Sequence, residues 1–284
     1  MLPVDKPTGA TSARAVAAVK RALPRGTKVG HTGTLDPLAS GLLVLLVGRA
    51  TRLARYVGEG EKLYTAEARF GAVSDSLDAD GEMTPVGGDL PTRSEIEAAL
   101  PRFTGEVEQV PPMASAVKVG GRRLYALHRE GKSVERESRV VLVREFVLLD
   151  YRDGRATFRV RCGGGTYVRS LVADLAESVG SGAYLSALRR EAVGEFRLED
   201  ALPVGEVTPE RVQKTLLGAR AALGGMRERT VPESLRRLVT NGRTLPSSGA
   251  QETVAMVSET GELLAVYRDD GEHFARPEVV LCAG

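Results

Sequence analysis

At 284 residues, 42% hydrophobic and 27% charged, the chain is long enough for one large domain and a small one, and its composition excludes both a disordered and a collagen-like class. The net charge of +2 does not announce a polyanionic partner, but its distribution does: up to Gly58, nine lysines and arginines face only Asp5 and Asp36. No apolar run is long enough to span a bilayer, and the start, Met1-Leu2-Pro3-Val4-Asp5-Lys6-Pro7, lacks a basic-then-apolar signal pattern, so a cytoplasmic protein with no membrane partner is expected.

In chain order, Thr11 or Ser12 is placed to cap a helix that carries Ala15, Val16, Val19 and Leu23 on one face and stops before Pro24. The loop Gly30-His31-Thr32-Gly33-Thr34-Leu35-Asp36-Pro37-Leu38-Ala39-Ser40-Gly41 follows, and residues 42–47 then suit a buried strand. Thr51 is placed to cap a short basic helix ending at Gly58. Residues 62–70 alternate, with Tyr64, Ala66, Ala68 and Phe70 on one side and Thr65, Glu67 and Arg69 on the other. A helix is predicted over 94–100, opened by Pro91-Thr92. From 111 to about 140 the pattern loosens into a basic excursion, in which Lys118, Arg122, Arg123, Arg129, Lys132, Arg136 and Arg139 face only three glutamates. It reads either as a solvated loop or as a nucleic-acid contact.

Strands are predicted over 140–149 and 155–162, the second with Ala156, Phe158, Val160 and Cys162 inward. Gly163-Gly164-Gly165 ends that strand, and Thr166 is placed to cap a helix running to about Val179 and closed by Gly180. Strands mixed with helices, without strict βαβ alternation, argue for an α+β fold on a mixed, largely antiparallel sheet. Past Gly224 the texture changes to short strands over 252–257, 262–268 and 277–281, separated by tight glycine turns, as in a small β-barrel-like second domain.

Several chemistries drop out at this level. Cys162 and Cys282 form no CxxC pair, so reduced core thiols are expected. His31, His128 and His273 stand at no ligand spacing, so the His/Cys/Cys set of a zinc deaminase is missing and no metal is expected. Residues 126–133 resemble a phosphate loop, but Ala126 replaces its first glycine and no apolar strand precedes it. Residues 76–81, Ser-Leu-Asp-Ala-Asp-Gly, resemble a calcium loop only in part and read better as a tight polar turn.

Asp36 is the carboxylate that this leaves in view. Isolated in a basic stretch, in a loop bracketed by glycines, it either caps an Asp-Pro turn or has chemical work to do. Arg169 falls in the first turn of the predicted helix after the glycines. It is either a surface arginine or the partner of an anion, a phosphate or a buried carboxylate such as Asp36. Such a partner would favour the ionised acid and lower its pKa. Tyr64 is either a core tyrosine or an aromatic face for a nucleobase taken out of its stack.

The segments 5–12, 30–37, Lys62-Leu63-Tyr64 and Gly165-Thr166-Tyr167-Val168-Arg169, with Leu188-Arg189-Arg190 beyond them, resemble in order and spacing the motifs of the bacterial TruB family of tRNA pseudouridine synthases. The resemblance runs from about Leu2 to Val193. It implies a pseudouridine-synthase catalytic domain over 1–223, with an RNA-clamping insertion at about 112–140, and a PUA-like RNA-binding domain over 224–284. It further implies isomerisation of the T-loop uridine at tRNA position 55, with no cofactor, by a monomer that needs no protein partner. Residue by residue, it implies that Asp36 is the catalytic nucleophile and Arg169 its ion-pair partner. Tyr64 would pack against the base, and His31 would fill the stack that the uridine leaves. Lys6, Tyr167 and Leu188 would line or support the pocket, and Arg122 and Arg123 would contact RNA.

The chemistry agrees with that reading. Turning uridine into its C-glycoside breaks one sugar–base bond and makes another without net redox change, so a nucleophile and access to the base suffice. Two rivals remain: an RNA-binding or RNA-folding protein whose activity is secondary or lost, and the catalytic subunit of a guide-RNA-directed synthase. The second would lack the basic insertion and carry charged tails.

Overall fold

The structure, a computed structural model, describes residues 1–281. Cys282 lies outside the described residues; Cys162 is buried and free. The chain opens with β1 (Leu2–Lys6), α1 (Ser12–Arg21), β2 (Val29–Thr32) and β3 (Ser40–Val47). Next come α2 (Ala54–Glu59), β4 (Lys62–Phe70), the hairpin of β5 (Ala72–Ser74) and β6 (Met83–Pro85), α3 (Arg93–Ala99) and β7 (Gly105–Gln109). The basic excursion holds β8 (Lys118–Val119), β9 (Arg122–Arg123) and α4 (Leu124–Arg129). Then follow β10 (Arg139–Arg152), β11 (Arg155–Cys162), α5 (Val168–Ser178), β12 (Ala183–Val193), β13 (Phe196–Arg197), β14 (Leu202–Pro203) and α6 (Pro209–Thr215). The last part comprises β15 (Glu228–Val231), α7 (Glu233–Thr240), β16 (Leu245–Pro246), β17 (Gln251–Ser258), β18 (Leu263–Asp270) and β19 (Phe274–Val280).

The main sheet runs β14-β1-β3-β12-β4-β11-β10-β7, with β2 paired to β3 and β13 to β12. β1–β14 and β3–β12 are parallel, and the remaining pairs of this sheet are antiparallel, as the pattern predicts. The second sheet, β15-β17-β18-β19-β16, curls around its own small core beneath α7. The α+β expectation and the small β-rich second unit both hold. No helix of the described residues is long and apolar enough to cross a membrane.

β3 explains why the two parts sit together. Leu43 and Leu45 face the core under α1 and α5, while Leu42, Val44 and Leu46 face Ala255, Val257, Leu263 and Val266 of the second sheet. A strand buried on both faces reads as an unbroken apolar run rather than an alternation. Each of these side chains is worth roughly 1.5–3 kcal/mol on burial, so the strand is a rigid axis for the loop that precedes it. In contrast, β4 and β11 alternate, burying Tyr64, Ala66 and Ala68 on one strand and Ala156, Phe158 and Val160 on the other.

Some local expectations are corrected. Thr11 does cap α1, accepting from the Arg14 amide at 3.2 Å, but Thr51 lies inside a short 3-10 turn and donates to the Gly48 carbonyl. Thr166 does not cap α5; its hydroxyl turns back to the Gly163 carbonyl, and Tyr167 holds the N-cap position with no side-chain bond. The excursion is no bare loop. Met113, Leu124 and Leu127 make a small core of their own there.

Candidate active site

The loop over 33–39 is fixed from three sides. The Ser12 hydroxyl, at the start of α1, both accepts from the Leu35 amide and donates to the Leu35 carbonyl, each at 3.0 Å. The Gly9 amide donates to the Pro37 carbonyl at 2.7 Å. From β12, Arg190 donates through Nε to the Leu42 carbonyl at 2.7 Å and through Nη2 to the Gly33 carbonyl at 2.8 Å. Arg190 is 1% exposed, so this buried cation is held by carbonyl oxygens. The Arg190 backbone runs so close to the neighbouring strand β3 that Gly41, at φ +99°, has no room for a side chain.

Asp36 projects from this loop, and its partner is Arg169. Asp36 Oδ2 lies 2.9 Å from Arg169 Nη2, and the aspartate side chain keeps 35% of its surface open while the arginine keeps 3%. The turn-capping alternative is not what the carboxylate does; the turn is closed by backbone, the Ala39 amide donating to the Asp36 carbonyl. Arg169 sits in the first turn of α5, where the helix dipole disfavours a cation. Two carboxylates offset that placement, because Asp78 Oδ2 stands 3.2 Å from Arg169 Nη1. Carbonyls of Ser76 and Ala114 accept from the same two nitrogens at 2.7 and 2.8 Å, and Nε is left buried without a partner. Asp78 is 3% exposed, and its Oδ1 accepts from the Ser76 hydroxyl and the Asp80 amide.

Burial, more than the neighbouring charges, reverses the predicted direction of the pKa shift. Burial raises the Asp36 carboxyl above its ordinary 3.8, Arg169 opposes the rise, and Asp78 adds to it. The reading from sequence counted the arginine but neither the burial nor the second acid.

A cavity of about 250 Å³ opens beside Asp36, lined by Tyr64, Leu188, Arg169 and Tyr167, and further by Lys62, Ser115, Arg139 and Arg190. It is smaller than the roughly 300–1,000 Å³ of pockets that engulf drug-sized ligands, and so suits a single nucleoside. Tyr64 is 7% exposed on the apolar side of β4, which makes it both a core residue and a wall of the cavity. Burial pushes its phenol pKa up. Lys62 donates to the Gly58 and Gly60 carbonyls, and burial pulls its ammonium down to about 8.

The remaining residues singled out in the sequence lie off this lining. His31 sits on β2, its Nδ1 buried without a partner, and burial and Arg190 hold its imidazole below the usual 6.5. Lys6 is fully buried behind the loop, donating to the Ala10 and Pro7 carbonyls, and burial lowers its ammonium to about 8. Arg122 and Arg123 are exposed on the excursion, where Arg122 pairs with Glu130. Sequence reasoning gave no part in the site to Asp78, which it placed in a polar turn, or to Ser12, which it offered as a helix cap within a motif segment. Arg190 entered it only inside a motif. Among the described residues no group of three His, Cys, Asp or Glu side chains stands together as a metal-ligand set.

Comparison with known proteins places these features. Residues 20–168 match the family described as TruB family pseudouridylate synthase (N terminal domain). The chain is 39% identical to a Cupriavidus metallidurans protein named tRNA pseudouridine synthase B, over 98% of this chain and 92% of that one. Proteins of the same name from Solibacter usitatus and Symbiobacterium thermophilum are 38% and 47% identical, covering 99% and 81% of this chain and 99% and 78% of theirs. Among solved structures, a Cbf5-Nop10-Gar1 complex matches with a TM-score of 0.73 at 25% identity, over 100% of this chain and 83% of the other. The archaeal box H/ACA sRNP Nop10-Cbf5 complex gives 0.73 at 23% identity, over 99% of this chain and 86% of the other, a likeness of fold alone.

Proposed function

Because this chain belongs to the TruB family of pseudouridylate synthases, we propose that it is a stand-alone tRNA pseudouridine synthase that isomerises the T-loop uridine at position 55, with Asp36 as nucleophile. The observation that carries the reading is the placement of one partly open carboxylate, held by a buried arginine, at the edge of a nucleoside-sized cavity walled by Tyr64 and Leu188.

In this reading the target uridine leaves its stack and enters the cavity. Tyr64 packs against the base, and Leu188 closes the opposite side. Asp36 attacks C6 of the uracil or C1′ of the ribose, the N1–C1′ bond breaks, and the base turns. C5 then bonds to C1′, the bond to Asp36 is released, and the C5 proton leaves to a base. No electrons are exchanged with a third party. Arg169 keeps the attacking carboxylate ionised and aimed, and Lys6 stiffens the turn behind it. His31 takes the space that the everted base vacates. Arg122 and Arg123 contact the T arm from the excursion, while residues 224–284 form a PUA-like RNA-binding unit beside a catalytic unit over 1–223.

The deciding experiment incubates the purified protein, with chelator present, on unmodified tRNA and on a T-arm hairpin, and maps pseudouridine. Wild-type protein is expected to modify one position, and Asp36→Asn to bind tRNA nearly as well while making no product. Turnover by Asp36→Asn would exclude the nucleophile assignment. Binding without turnover by the wild type would leave an RNA-binding protein.

A further inference from the structure

We propose that Arg139, laid over the ring of Tyr167, is a phosphate-binding residue that holds a phosphodiester flanking the nucleotide in the cavity; this rests on the functional reading above. Arg139 is the first residue of β10, where the excursion rejoins the sheet. Its Cζ stands 5.0 Å from the centroid of the Tyr167 ring, and its Nη2 donates to the Gly165 carbonyl. Tyr167 is itself fixed, since the Gln109 side chain accepts from its amide at 2.7 Å and donates to its carbonyl at 3.0 Å. The guanidinium is therefore placed by neutral groups: a ring, a carbonyl and the strand it starts.

What distinguishes it from the other cations of the site is its lack of a charged or saturating partner. Arg169 faces two carboxylates, and Arg190 and Lys62 are each committed to two carbonyls. Arg139 forms no ion pair among the described residues and has one hydrogen-bond acceptor there, the Gly165 carbonyl; its Nε, like that of Arg169, is buried without a partner. An arginine carries five N–H donors in a planar fork, a geometry matched to phosphate oxygens. Asp36 is the one carboxylate on the cavity lining among the described residues, and Arg169 already engages it. An anion brought to the cavity with its nucleoside thus meets Arg139 as the cation with donors to spare. A nucleoside that fills about 250 Å³ leaves its phosphates at the mouth, and Arg139 lines that cavity.

The test is a cycle between protein and substrate. T-arm hairpins are made with a neutral methylphosphonate replacing the phosphate on the 5′ or the 3′ side of the target uridine, and single-turnover rates and KM are measured. For the wild type, one of the two replacements should lower kcat/KM on the order of ten- to a hundredfold, the range of a hydrogen bond to a charged group. Arg139→Ala should lose a similar factor on the all-phosphate hairpin and then be indifferent to that replacement. Arg139→Lys should recover part of the loss, since it restores the charge without the fork. Additive losses in Arg139→Ala at both positions would overturn the proposal and leave the functional reading standing, as would a wild type slowed by neither replacement. A wild type that fails to convert the all-phosphate hairpin would overturn both. Should Arg139→Ala not fold, Arg139→Lys carries the same cycle: reduced sensitivity to the replacement supports the proposal, and undiminished sensitivity overturns it.

Discussion

Asp36 and Asp78, from loops on different strands, share one cation: the Arg169 guanidinium stands 2.9 Å from the first and 3.2 Å from the second. Asp78 is the more buried of the two and raises the pKa of Asp36 through space. It therefore works against the guanidinium's effect on Asp36. Replacing Asp78 with Asn hands the guanidinium's charge to Asp36 alone, lowers its pKa and tightens the pair; in the proposed mechanism this makes the carboxylate a poorer nucleophile. The single-turnover rate of Asp78→Asn should therefore fall, and the acid limb of its pH profile should move to lower pH. Affinity for tRNA, measured by filter binding, should be nearly unchanged. An acid limb that stays put would mean that the two carboxylates do not communicate.

The same burial makes a statement about stability. A carboxyl whose pKa is higher in the folded than in the unfolded chain favours the fold when protonated. That contribution is present below the unfolded value and is lost as pH rises through the folded one. At neutral pH the ionised Asp36 is thus a net burden on the fold. Asp36→Asn should melt higher than the wild type at pH 7, with the difference fading as the pH is lowered toward 4. A third of the side chain meets solvent, so the gain should not exceed about 2–4 °C, the shift expected for 1 kcal/mol in a chain of this size. A lower melting temperature for Asp36→Asn at pH 7 would show that Arg169 outweighs burial.

The legible parts of this chain are those whose cause is local. β4 and β11 follow from alternation, and α1 from Thr11 and its apolar stripe. β12 is the opposite case. Ala-Tyr-Leu-Ser-Ala-Leu-Arg-Arg-Glu-Ala-Val is rich in helix formers, yet it lies between β3 and β4, where two long-range partners override propensity. The site divides in the same way. Asp36, Tyr64 and Arg169 stand out as residue types in glycine-marked surroundings. Asp78 and Arg190 act only through contacts that the chain order hides, Arg190 reaching the Gly33 carbonyl across 157 positions. The polar turn over 76–81 was visible in the sequence; that it aims a carboxylate at Arg169 was not.

Ser12 tests whether the loop must be held for the acid to work. Its hydroxyl satisfies both backbone groups of Leu35, the residue before Asp36, and it is 3% exposed. Ser12→Ala leaves a buried amide and carbonyl without partners, a loss of roughly 1–3 kcal/mol. It also frees the chain next to Asp36. Urea unfolding should report that loss, and turnover should fall on the order of tenfold, since a displacement of about 1 Å costs up to a hundredfold in rate. The adjacent cap is the control. Thr11→Ala removes one exposed bond to the Arg14 amide, so it should cost about 1 kcal/mol and leave turnover near wild type. Equal effects of the two on turnover would mean that the helix as a whole, not the Ser12–Leu35 link, positions Asp36.

At Gly41 the strand that carries the loop lies hard against the strand that braces it. β3 and β12 run parallel here, with Gly41 opposite Arg190. A Cβ on Gly41 would lie 2.3 Å from the Arg190 carbonyl oxygen and 2.8 Å from its amide nitrogen, both backbone atoms that cannot swing aside. The residue also sits at φ +99°, a conformation that L side chains rarely adopt. Gly41→Ala must therefore part the two strands, pulling Arg190 away from Gly33 and leaving a buried guanidinium short of an acceptor. A cost of at least about 3 kcal/mol is expected from overpacking and lost bonds together, with turnover abolished. Gly9 separates conformation from collision: it has φ +78° but nothing within 4 Å of an added Cβ, so Gly9→Ala should cost only about 1–2 kcal/mol. If the two variants unfold at the same urea concentration, backbone conformation alone governs Gly41, and the brace from β12 does not depend on the absence of a side chain there.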